Sequence, residues 1–363
     1  MDPKPFSPTL QKKIDLLKAK RTAIKLGDIH FDSPLLLAPM SAICNYPFRL
    51  LMEELGAGGT VSELISCHGI NYKNERTKEM LYIHPREKNI GIQLFGEDPE
   101  AMAKAALVAQ ESEPKFIDIN MGCPVRKVVS KGGGSALLRD TSKLAPFFAL
   151  MKKNLEVPLT IKIRTGWDTD SINAPEIIHI AKEEGVEFVA IHGRTRTQQY
   201  KGHANWDLLE MFARTSPLPI IGNGDLHTPY ATQLRMKTSA CQALMLGRGS
   251  LRNPFIFLES YLENPKEEFF TPDDYWEVIE RYFEYLQDYA TRERTLIVQM
   301  RKIIVWFVAG FPGVAKLRGD LFAAKELEDV LKITEEFFRE LTINKQLSKD
   351  IDHEKPFMAG GHG

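Results

Sequence analysis

Eight short apolar runs, each followed by a turn and an amphipathic stretch, constrain the fold of this chain more than any other feature. The runs are LLLAPM (35–40), GTVSEL (59–64), IGIQLF (90–95), FIDIN (116–120), LTIKI (159–163), FVAIH (188–192), PIIGNG (219–224) and ALMLG (243–247). Their apolar residues are continuous rather than alternating, which indicates parallel strands covered by helices. Eight such units over about 225 residues fit a closed (β/α)8 TIM barrel better than an open doubly wound sheet. We predict this barrel over residues 26–257.

The carboxyl ends of these runs are rich in polar residues and glycine. They are Pro39, Met40 and Ser41; Glu63; Gln93; Asn120 with Cys123; Lys162 with Arg164; His192 with Arg194; Asn223, Gly224 and Asp225; and Gly247, Arg248 and Gly249. Barrel enzymes carry their chemistry at strand ends, and a polar core residue would need a buried partner. The pattern therefore predicts one active site at this end of the barrel.

The stretch DINMGCPVRKVVSKGGGSALL (118–138) is the most informative of these ends. Cys123 follows a strand, is held by Pro124, and lies near Arg126, Lys127 and a triple glycine. A lone cysteine after a strand is more often a small buried hydrophobe than a reagent. The restricted backbone and the nearby cations favour a functional thiol beside an anion.

Two further groups indicate a phosphorylated heterocycle. The GNGD turn (222–225) and the GRG turn (247–249) offer backbone N–H donors and a guanidinium where barrels often hold phosphate. Lys162 and Gln93 suit a planar ring such as a flavin, although a Schiff-base lysine is an alternative. His192 could contact the ring or the phosphate, or be an interior histidine. The sequence has no GxGxxG after the first strand and no HExxH, so neither a Rossmann-bound nicotinamide nor a catalytic metal is expected.

The regions outside the barrel are expected to be helical or disordered. Residues 1–25 form an N-terminal extension with an amphipathic helix at 9–20, and residues 346–363 are expected to be a disordered tail. Residues 258–345 have helical periodicity and predict a bundle of about four helices, two of them near 313–323 and 326–342.

We expect a cytoplasmic protein, and a monomer because no large exposed apolar surface can be read from the sequence. The formal net charge is −1, and no apolar run is long enough to span a membrane. Four cysteines at wide spacing fit neither a zinc site nor a disulfide framework, so a reducing compartment is expected.

Residues 281–325 carry eight basic and four acidic side chains, whereas 258–280 carry eight acidic and one basic. Such a basic face could bind RNA or be a solvated surface with ion pairs.

Several motifs together resemble one family. They are LLLAPMSAICNYPFR, IQLFG, DINMGCPVRKVV followed by GGGSALL, TIKIRTGW, IHGRTRTQQYKGHANW, IIGNGD and MLGRG. In order and spacing they resemble the tRNA-dihydrouridine synthases, flavin enzymes that reduce uridines in RNA, and the bacterial B type in particular. The resemblance covers about residues 26–325, and QMRKIIVWFVAGFPGVAKLR resembles the family's RNA-binding helical domain. The family often has Ala-Gly-Ile-Thr-Asp where this chain has residues 41–45 (SAICN), which leaves Ser41 to act through its backbone.

The resemblance implies an oxidoreductase acting on a CH–CH group, with FMN as cofactor, NADPH as reductant and tRNA or another structured RNA as substrate. The implied flavin-binding residues are Pro39, Met40, Ser41, Gln93, Lys162, His192, Asn223, Gly224, Asp225, Gly247 and Arg248. Cys123 would be the proton donor, and Asn120 and Arg194 would orient the base. A donor thiol must stay protonated, so we expect Arg126 and Lys127 to face RNA phosphate rather than the sulfur.

Three alternatives remain open from the sequence. One is another FMN-dependent barrel oxidoreductase acting on a small enone or pyrimidine. Another is a phosphate-binding barrel lyase that uses Lys162 as a Schiff base. The third is a non-catalytic RNA-binding protein.

Overall fold

A parallel barrel occupies the first two thirds of the chain. The computed structural model describes residues 3–267, 269–290, 292–346 and 348–349. The strands in this part are β1 (Ile24–Leu26), β2 (Ile29–Phe31), β3 (Leu35–Leu37), β4 (Thr60–Val61), β5 (Ile65–Ser66), β6 (Ile90–Phe95), β7 (Phe116–Met121), β8 (Leu159–Arg164), β9 (Val189–His192), β10 (Ile220–Asn223) and β11 (Ala243–Leu246). Neighbours follow the order β3-β11-β10-β9-β8-β7-β6-β4, with β5 beside β6. The N–H of Leu37 donates to the carbonyl of Gly59 at 2.9 Å, so β3 returns to β4 and the predicted barrel is confirmed.

Helices cover the outside of the barrel and continue beyond it. They are α1 (Pro8–Lys18), α2 (Tyr46–Glu54), α3 (Cys67–Asn71), α4 (Glu75–Met80), α5 (Pro99–Gln110), α6 (Arg126–Val129), α7 (Leu144–Lys152), α8 (Ala174–Glu183), α9 (Trp206–Thr215), α10 (Pro229–Thr238), α11 (Gly249–Arg252), α12 (Ile256–Glu259), α13 (Pro272–Tyr289), α14 (Glu293–Phe307), α15 (Val314–Ala323) and α16 (Leu327–Ile343), with 3₁₀ turns at Gly134–Arg139 and Thr141–Lys143. Asn45 and Asp98 are among the side chains that cap helix amino termini.

Strand register brings the polar strand ends to one level. Asn120 on β7 pairs with Lys162 on β8, and Arg164 on β8 pairs with His192 on β9. His192 in turn pairs with Asn223 on β10. Because parallel strands end on the same side, these side chains meet at one mouth of the barrel.

A short hairpin contributes an aromatic cluster to the barrel core. Strands β1 and β2 pair antiparallel, and Phe31 packs edge-on against Phe116 and Phe188 at ring distances of 6.0 and 6.1 Å. All three rings are buried. The hairpin was not predictable from the sequence, because strands of three residues carry almost no periodicity.

The C-terminal helices α13–α16 follow the barrel as the sequence predicts. Helix α13 begins with a capping box between Thr271 and Asp274 and packs against α2 of the barrel. The N-terminal segment contacts both regions: Lys13 pairs with Asp274 and the N–H of Ser7 donates to Glu277 at 2.8 Å, and Arg21 donates to the carbonyl of Gly56 in the barrel at 3.2 Å.

Two sequence predictions concern the chain termini and the membrane. No helix in the described ranges combines the length and the hydropathy needed to cross a membrane. The predicted disordered tail, 346–363, lies outside the described residues apart from positions 346, 348 and 349.

Candidate functional site

One cavity of about 300 Å³ opens at the carboxyl ends of the barrel strands. It is lined by most of the residues that the sequence singles out: Pro39, Met40, Ser41, Gln93, Asn120, Cys123, Lys162, His192, Asn223, Gly224, Asp225, Gly247 and Arg248. The barrel thus brings together residues from seven separate sequence motifs.

The Cys123 thiol is held at the cavity wall by its backbone. Its N–H donates to the Oδ1 of Asn120 at 2.9 Å, and its carbonyl accepts from the N–H and the hydroxyl of Ser135 at 3.1 and 2.8 Å. Burial raises the pKa of the thiol, and a hydrogen bond from the Val125 backbone and the charges of Arg164 and Lys162 offset this effect only in part. The thiol therefore stays protonated at neutral pH, as a proton donor must.

A buried chain of amides lies behind Cys123. The Nδ2 of Asn120 donates to the Oε1 of Gln93 at 2.8 Å, and the Nε2 of Gln93 donates to Asp118 at 2.7 Å. Gln93 is only 1% exposed, although it faces the cavity. One N–H and one lone pair of its amide remain for a ligand.

Lys162 supplies a cation to the floor of the cavity. Its Nζ donates to the Oδ1 of Asn223 at 3.1 Å, and the Nδ2 of Asn223 donates to the carbonyl of Met245 at 2.7 Å. Burial, together with the charge of Arg164, lowers the pKa of Lys162 to about 8. The amine is therefore mainly charged at neutral pH and loses its proton under mildly alkaline conditions.

His192 is neutral in this environment. Burial, followed by the charges of Arg164, Lys162 and other arginines, lowers its pKa well below the ordinary value. Its Nε2 lies 3.3 Å from a guanidinium nitrogen of Arg194, which can only donate, so Nε2 accepts and the proton lies on Nδ1. His192 can therefore offer an N–H to a ligand.

The structure does not bring Arg194 to the cavity. Its guanidinium donates to the carbonyls of Lys201 and Gly202 at 3.2 and 2.6 Å and to the Oδ2 of Asp225 at 2.8 Å. The side chain is 1% exposed. These bonds fix the turn after β10 rather than present a cation to a substrate.

The turns after β10 and β11 form a donor-rich corner. Gly224 has φ of +129°, and a Cβ there would lie 2.6 Å from the Cβ of Ala204. Asp225 follows with φ of +56°. Within the described part of the chain, no hydrogen bond engages the N–H groups of Gly224, Asp225 or Gly247. Arg248 lies beside them, with its guanidinium 4.9 Å from the ring centre of Tyr200. This set of donors suits a phosphate group.

Asp225 remains ionised at this corner. Burial alone would raise its pKa, but His227, the N–H of Ala204 and the Arg194 guanidinium together lower it below the ordinary value. Its Oδ2 accepts both from Ala204 at 2.7 Å and from Arg194. A bound phosphate would repel this carboxylate. We therefore infer that the Asp225 side chain does not bind the phosphate and instead holds the turn in place.

Arg126 and Lys127 lie outside the cavity. Both belong to the short helix α6, which begins three residues after Cys123, and both are exposed. Neither is among the groups that shift the pKa of the Cys123 thiol. Their exposure on this side agrees with the expectation that they do not face the sulfur.

Three polar cavity residues were not singled out from the sequence, namely Tyr200, His227 and Lys302, and Arg164 was placed at a strand end without a role. His227 follows Asp225 by two positions, so proximity to a strand end could have identified it. Lys302 comes from helix α14, and no local pattern relates it to the barrel.

Comparison with known proteins identifies similar sequences over most of the chain. The family model described as dihydrouridine synthase (Dus) matches residues 36–342. A probable tRNA-dihydrouridine synthase of Rickettsia prowazekii is 34% identical over 320 residues, covering 87% of this chain and 97% of that protein. The tRNA-dihydrouridine synthase B of Vibrio cholerae is 38% identical over 237 residues, covering 65% and 73%.

Solved structures resemble the chain in fold. A 2-naphthoyl-CoA reductase complex superposes with a TM-score of 0.56 at 12% identity, covering 91% of this chain and 70% of that one. Histamine dehydrogenase from Rhizobium sp. 4-9 gives a TM-score of 0.53 at 11% identity, covering 74% and 51%. At such identities the likeness concerns the fold alone.

Proposed function

Since the chain belongs to the dihydrouridine synthase family, we propose that it reduces the C5–C6 double bond of uridine in tRNA, with FMN as cofactor and NADPH as reductant. The family inferred from the sequence motifs, including its B-type character, is confirmed, and with it the class of oxidoreductases acting on CH–CH groups. The single observation that carries the residue-level proposal is the meeting of Cys123, Lys162 and the phosphate corner in one cavity.

The cavity fits FMN by the chemistry of its donors. The unengaged N–H groups of Gly224, Asp225 and Gly247, with the Arg248 guanidinium, would hold the phosphate. The residues proposed to lie around the isoalloxazine ring are Pro39, Met40, Ser41, Gln93, Lys162, His192 and Asn223. Bound and reduced, FMN supplies the hydride that adds to C6 of the uracil. Lys162 contributes the positive charge that favours an electron-rich ring.

Cys123 would complete the reduction with a proton. As C6 gains the hydride, the electrons of the C5–C6 π bond take the proton from Sγ to form the new C5–H bond. The raised pKa keeps this proton available at neutral pH. Lys162 and Arg164 then stabilise the resulting thiolate until solvent reprotonates it.

Asn120 and Arg194 were expected to orient the base, but their hydrogen bonds to the protein favour supporting roles. We propose that Asn120 supports the Cys123 backbone, because both ends of its amide are bonded to the protein. We also propose that Arg194 anchors Asp225, and that Arg164 is the cation near the target base. Arg164 lines the cavity while donating to the carbonyl of Gly122 at 2.8 Å.

We propose that the barrel (26–257) carries out the reduction and that the helices of 258–345 bind RNA. The N-terminal extension (1–25) contacts both. Exposed cations of the helical region include Arg292, Arg294, Arg318 and Lys325. Arg281 does not join them, because it is 6% exposed and paired with Glu54 at 2.9 Å.

Arg126 and Lys127 would contact RNA phosphate from the barrel side. The target uridine must leave its stack to enter the cavity. We propose that the protein acts as a cytoplasmic monomer.

An absorbance experiment tests the proposal. The purified protein should show flavin bands at about 375 and 450 nm, which should bleach with anaerobic NADPH and return when unmodified tRNA is added. A protein that stays colourless after reconstitution with FMN would contradict the cofactor and favour the lyase with Lys162 as Schiff base. Reoxidation by small enones but not by tRNA would contradict the RNA substrate.

A further inference from the structure

Asp118 is a buried carboxylate that the proposed reaction does not yet use. It lies on β7, two residues before Asn120, and is 3% exposed. Its Oδ2 accepts from the Nε2 of Gln93 and its Oδ1 from the hydroxyl of Thr160, each at 2.7 Å. It does not line the cavity. A group placed so deeply needs a reason, because burying a charge is costly.

A chain of hydrogen bonds connects Asp118 to the backbone of Cys123, and its donors and acceptors can be arranged in only one way. An ionised carboxylate can only accept, so the amide nitrogen of Gln93 must face it. The Oε1 of Gln93 then faces the Nδ2 of Asn120 at 2.8 Å. This turns the Oδ1 of Asn120 toward the N–H groups of Gly122 and Cys123, at 3.2 and 2.9 Å. Each amide has one orientation that satisfies both of its neighbours.

The chain is fixed from both ends. At one end the backbone N–H groups of Gly122 and Cys123 require a hydrogen-bond acceptor, and at the other end the Asp118 carboxylate requires a donor. Reversing either amide would place two donors against each other. Without an acceptor at 118, the Nε2 of Gln93 would be a buried donor with no partner on that side, and its side chain would turn toward the cavity.

We propose that Asp118 is a positioning residue that holds the Cys123 thiol and the Gln93 amide in place through this chain of amides. The inference rests on the proposed function, in which Cys123 donates the proton and Gln93 contacts the flavin. Asp118 touches neither substrate nor cofactor. It acts by making one arrangement of Gln93 and Asn120 the only satisfied one.

The test measures how fast iodoacetamide alkylates Cys123, without RNA or NADPH. Cys241 serves as the internal control, because it is partly buried, as Cys123 is, and lies outside the cavity. Peptide mass spectrometry gives both rates in one sample. Asp118→Leu should raise the ratio of the Cys123 rate to the Cys241 rate about tenfold, since one buried donor loses its partner.

Two further variants separate positioning from folding. Asp118→Asn can still present an oxygen to Gln93 and its NH₂ to the Thr160 hydroxyl, so its ratio should stay within about threefold of wild type. Thr160→Val removes the other bond to Asp118 and should also stay within about threefold. If Asp118→Leu does not fold, Gln93→Leu severs the same chain one step later and should raise the ratio similarly.

The outcomes are distinct. A ratio unchanged in both Asp118→Leu and Gln93→Leu would overturn the proposal, and so would an Asp118→Asn protein as reactive as Asp118→Leu. Equal acceleration of both cysteines would also overturn it, since general loosening would then explain the result. Failure of the proposed function would instead appear as wild-type protein that does not reduce tRNA, which leaves the alkylation ratios untouched.

Discussion

The Nζ of Lys302 lies 2.6 Å from the carbonyl oxygen of Ala42. Lys302 belongs to helix α14 and Ala42 to the loop after β3, so the helical region forms part of the cavity wall. The N–H of the same Ala42 donates to the Glu63 carboxylate. One exposed loop at the mouth of the cavity is thus held from both the barrel and the helices.

Replacing Lys302 by Met should slow the reaction with RNA more than the reaction with NADPH. The loop loses a hydrogen bond from a charged donor, and the cavity mouth loses a cation. We expect reoxidation of the reduced flavin by tRNA to slow about five- to tenfold, with NADPH reduction within about twofold. Stopped-flow absorbance measures both rates. Lys182→Met, which removes an exposed lysine at the carboxyl end of barrel helix α8, away from the cavity, is the control and should change neither. Equal slowing of both half-reactions would count against a role at the RNA side.

Ala42→Gly should stabilise the protein. Ala42 has φ of +59°, a left-handed conformation that costs a residue with a Cβ about 1–2 kcal/mol. Glycine avoids that strain but is more flexible when unfolded, so we expect a net gain of about 0.5–1 kcal/mol in unfolding free energy. Ala103→Gly in helix α5 is the control and should lose about 1 kcal/mol. Urea denaturation compares the two, and a destabilised Ala42→Gly protein would show that the loop relies on the methyl group.

Affinity for FMN should fall at alkaline pH because Lys162 loses its charge. Its pKa is lowered to about 8, so the free protein carries the cation below that pH and loses it above. We expect affinity to weaken by up to about tenfold per pH unit above that value. Fluorescence titration of the apoprotein between about pH 6.5 and 9.5 measures this. In Lys162→Arg the decline should move to higher pH, because a guanidinium stays charged. A wild-type affinity that is flat across the range would rule out Lys162 as the source of the charge.

Asp118 should make stability depend on pH in a defined direction. Burial raises its pKa from 3.8 to about 6, so the folded state binds the proton more tightly than the unfolded state. The resulting stabilisation is complete below pH 3.8 and is lost as pH rises through 6. Asp118→Asn lacks this dependence. Its unfolding free energy relative to wild type should therefore rise between about pH 4 and 7, by at most about 3 kcal/mol. A difference that stays constant with pH would mean that Asp118 titrates normally.

The barrel and most of the cavity were predictable from the sequence, because the end of each apolar run marks a residue at the same face of the barrel. Asn120, Lys162, His192 and Asn223 each end an apolar run, and parallel pairing places such ends side by side. The four C-terminal helices were predictable for a similar reason, since helical periodicity persists over long stretches.

What the sequence could not predict depends on contacts between distant segments. Lys302 reaches the cavity only because α14 packs beside the barrel, and Tyr200 only because its loop folds back toward Arg248. Arg194 ends a strand motif like its neighbours, yet its guanidinium turns toward Asp225 and Lys201. The direction of a side chain depends on hydrogen-bond partners that spacing does not specify.

The most direct test of the account is a single-turnover comparison of wild type with Cys123→Ala. Each protein is reduced anaerobically with NADPH and then mixed with unmodified tRNA, while flavin absorbance and dihydrouridine are followed. We predict NADPH reduction at the wild-type rate, and reoxidation by tRNA slower by about 10²- to 10⁴-fold, the usual contribution of a general acid. Reoxidation of Cys123→Ala at the wild-type rate, with dihydrouridine formed, would contradict Cys123 as the proton donor.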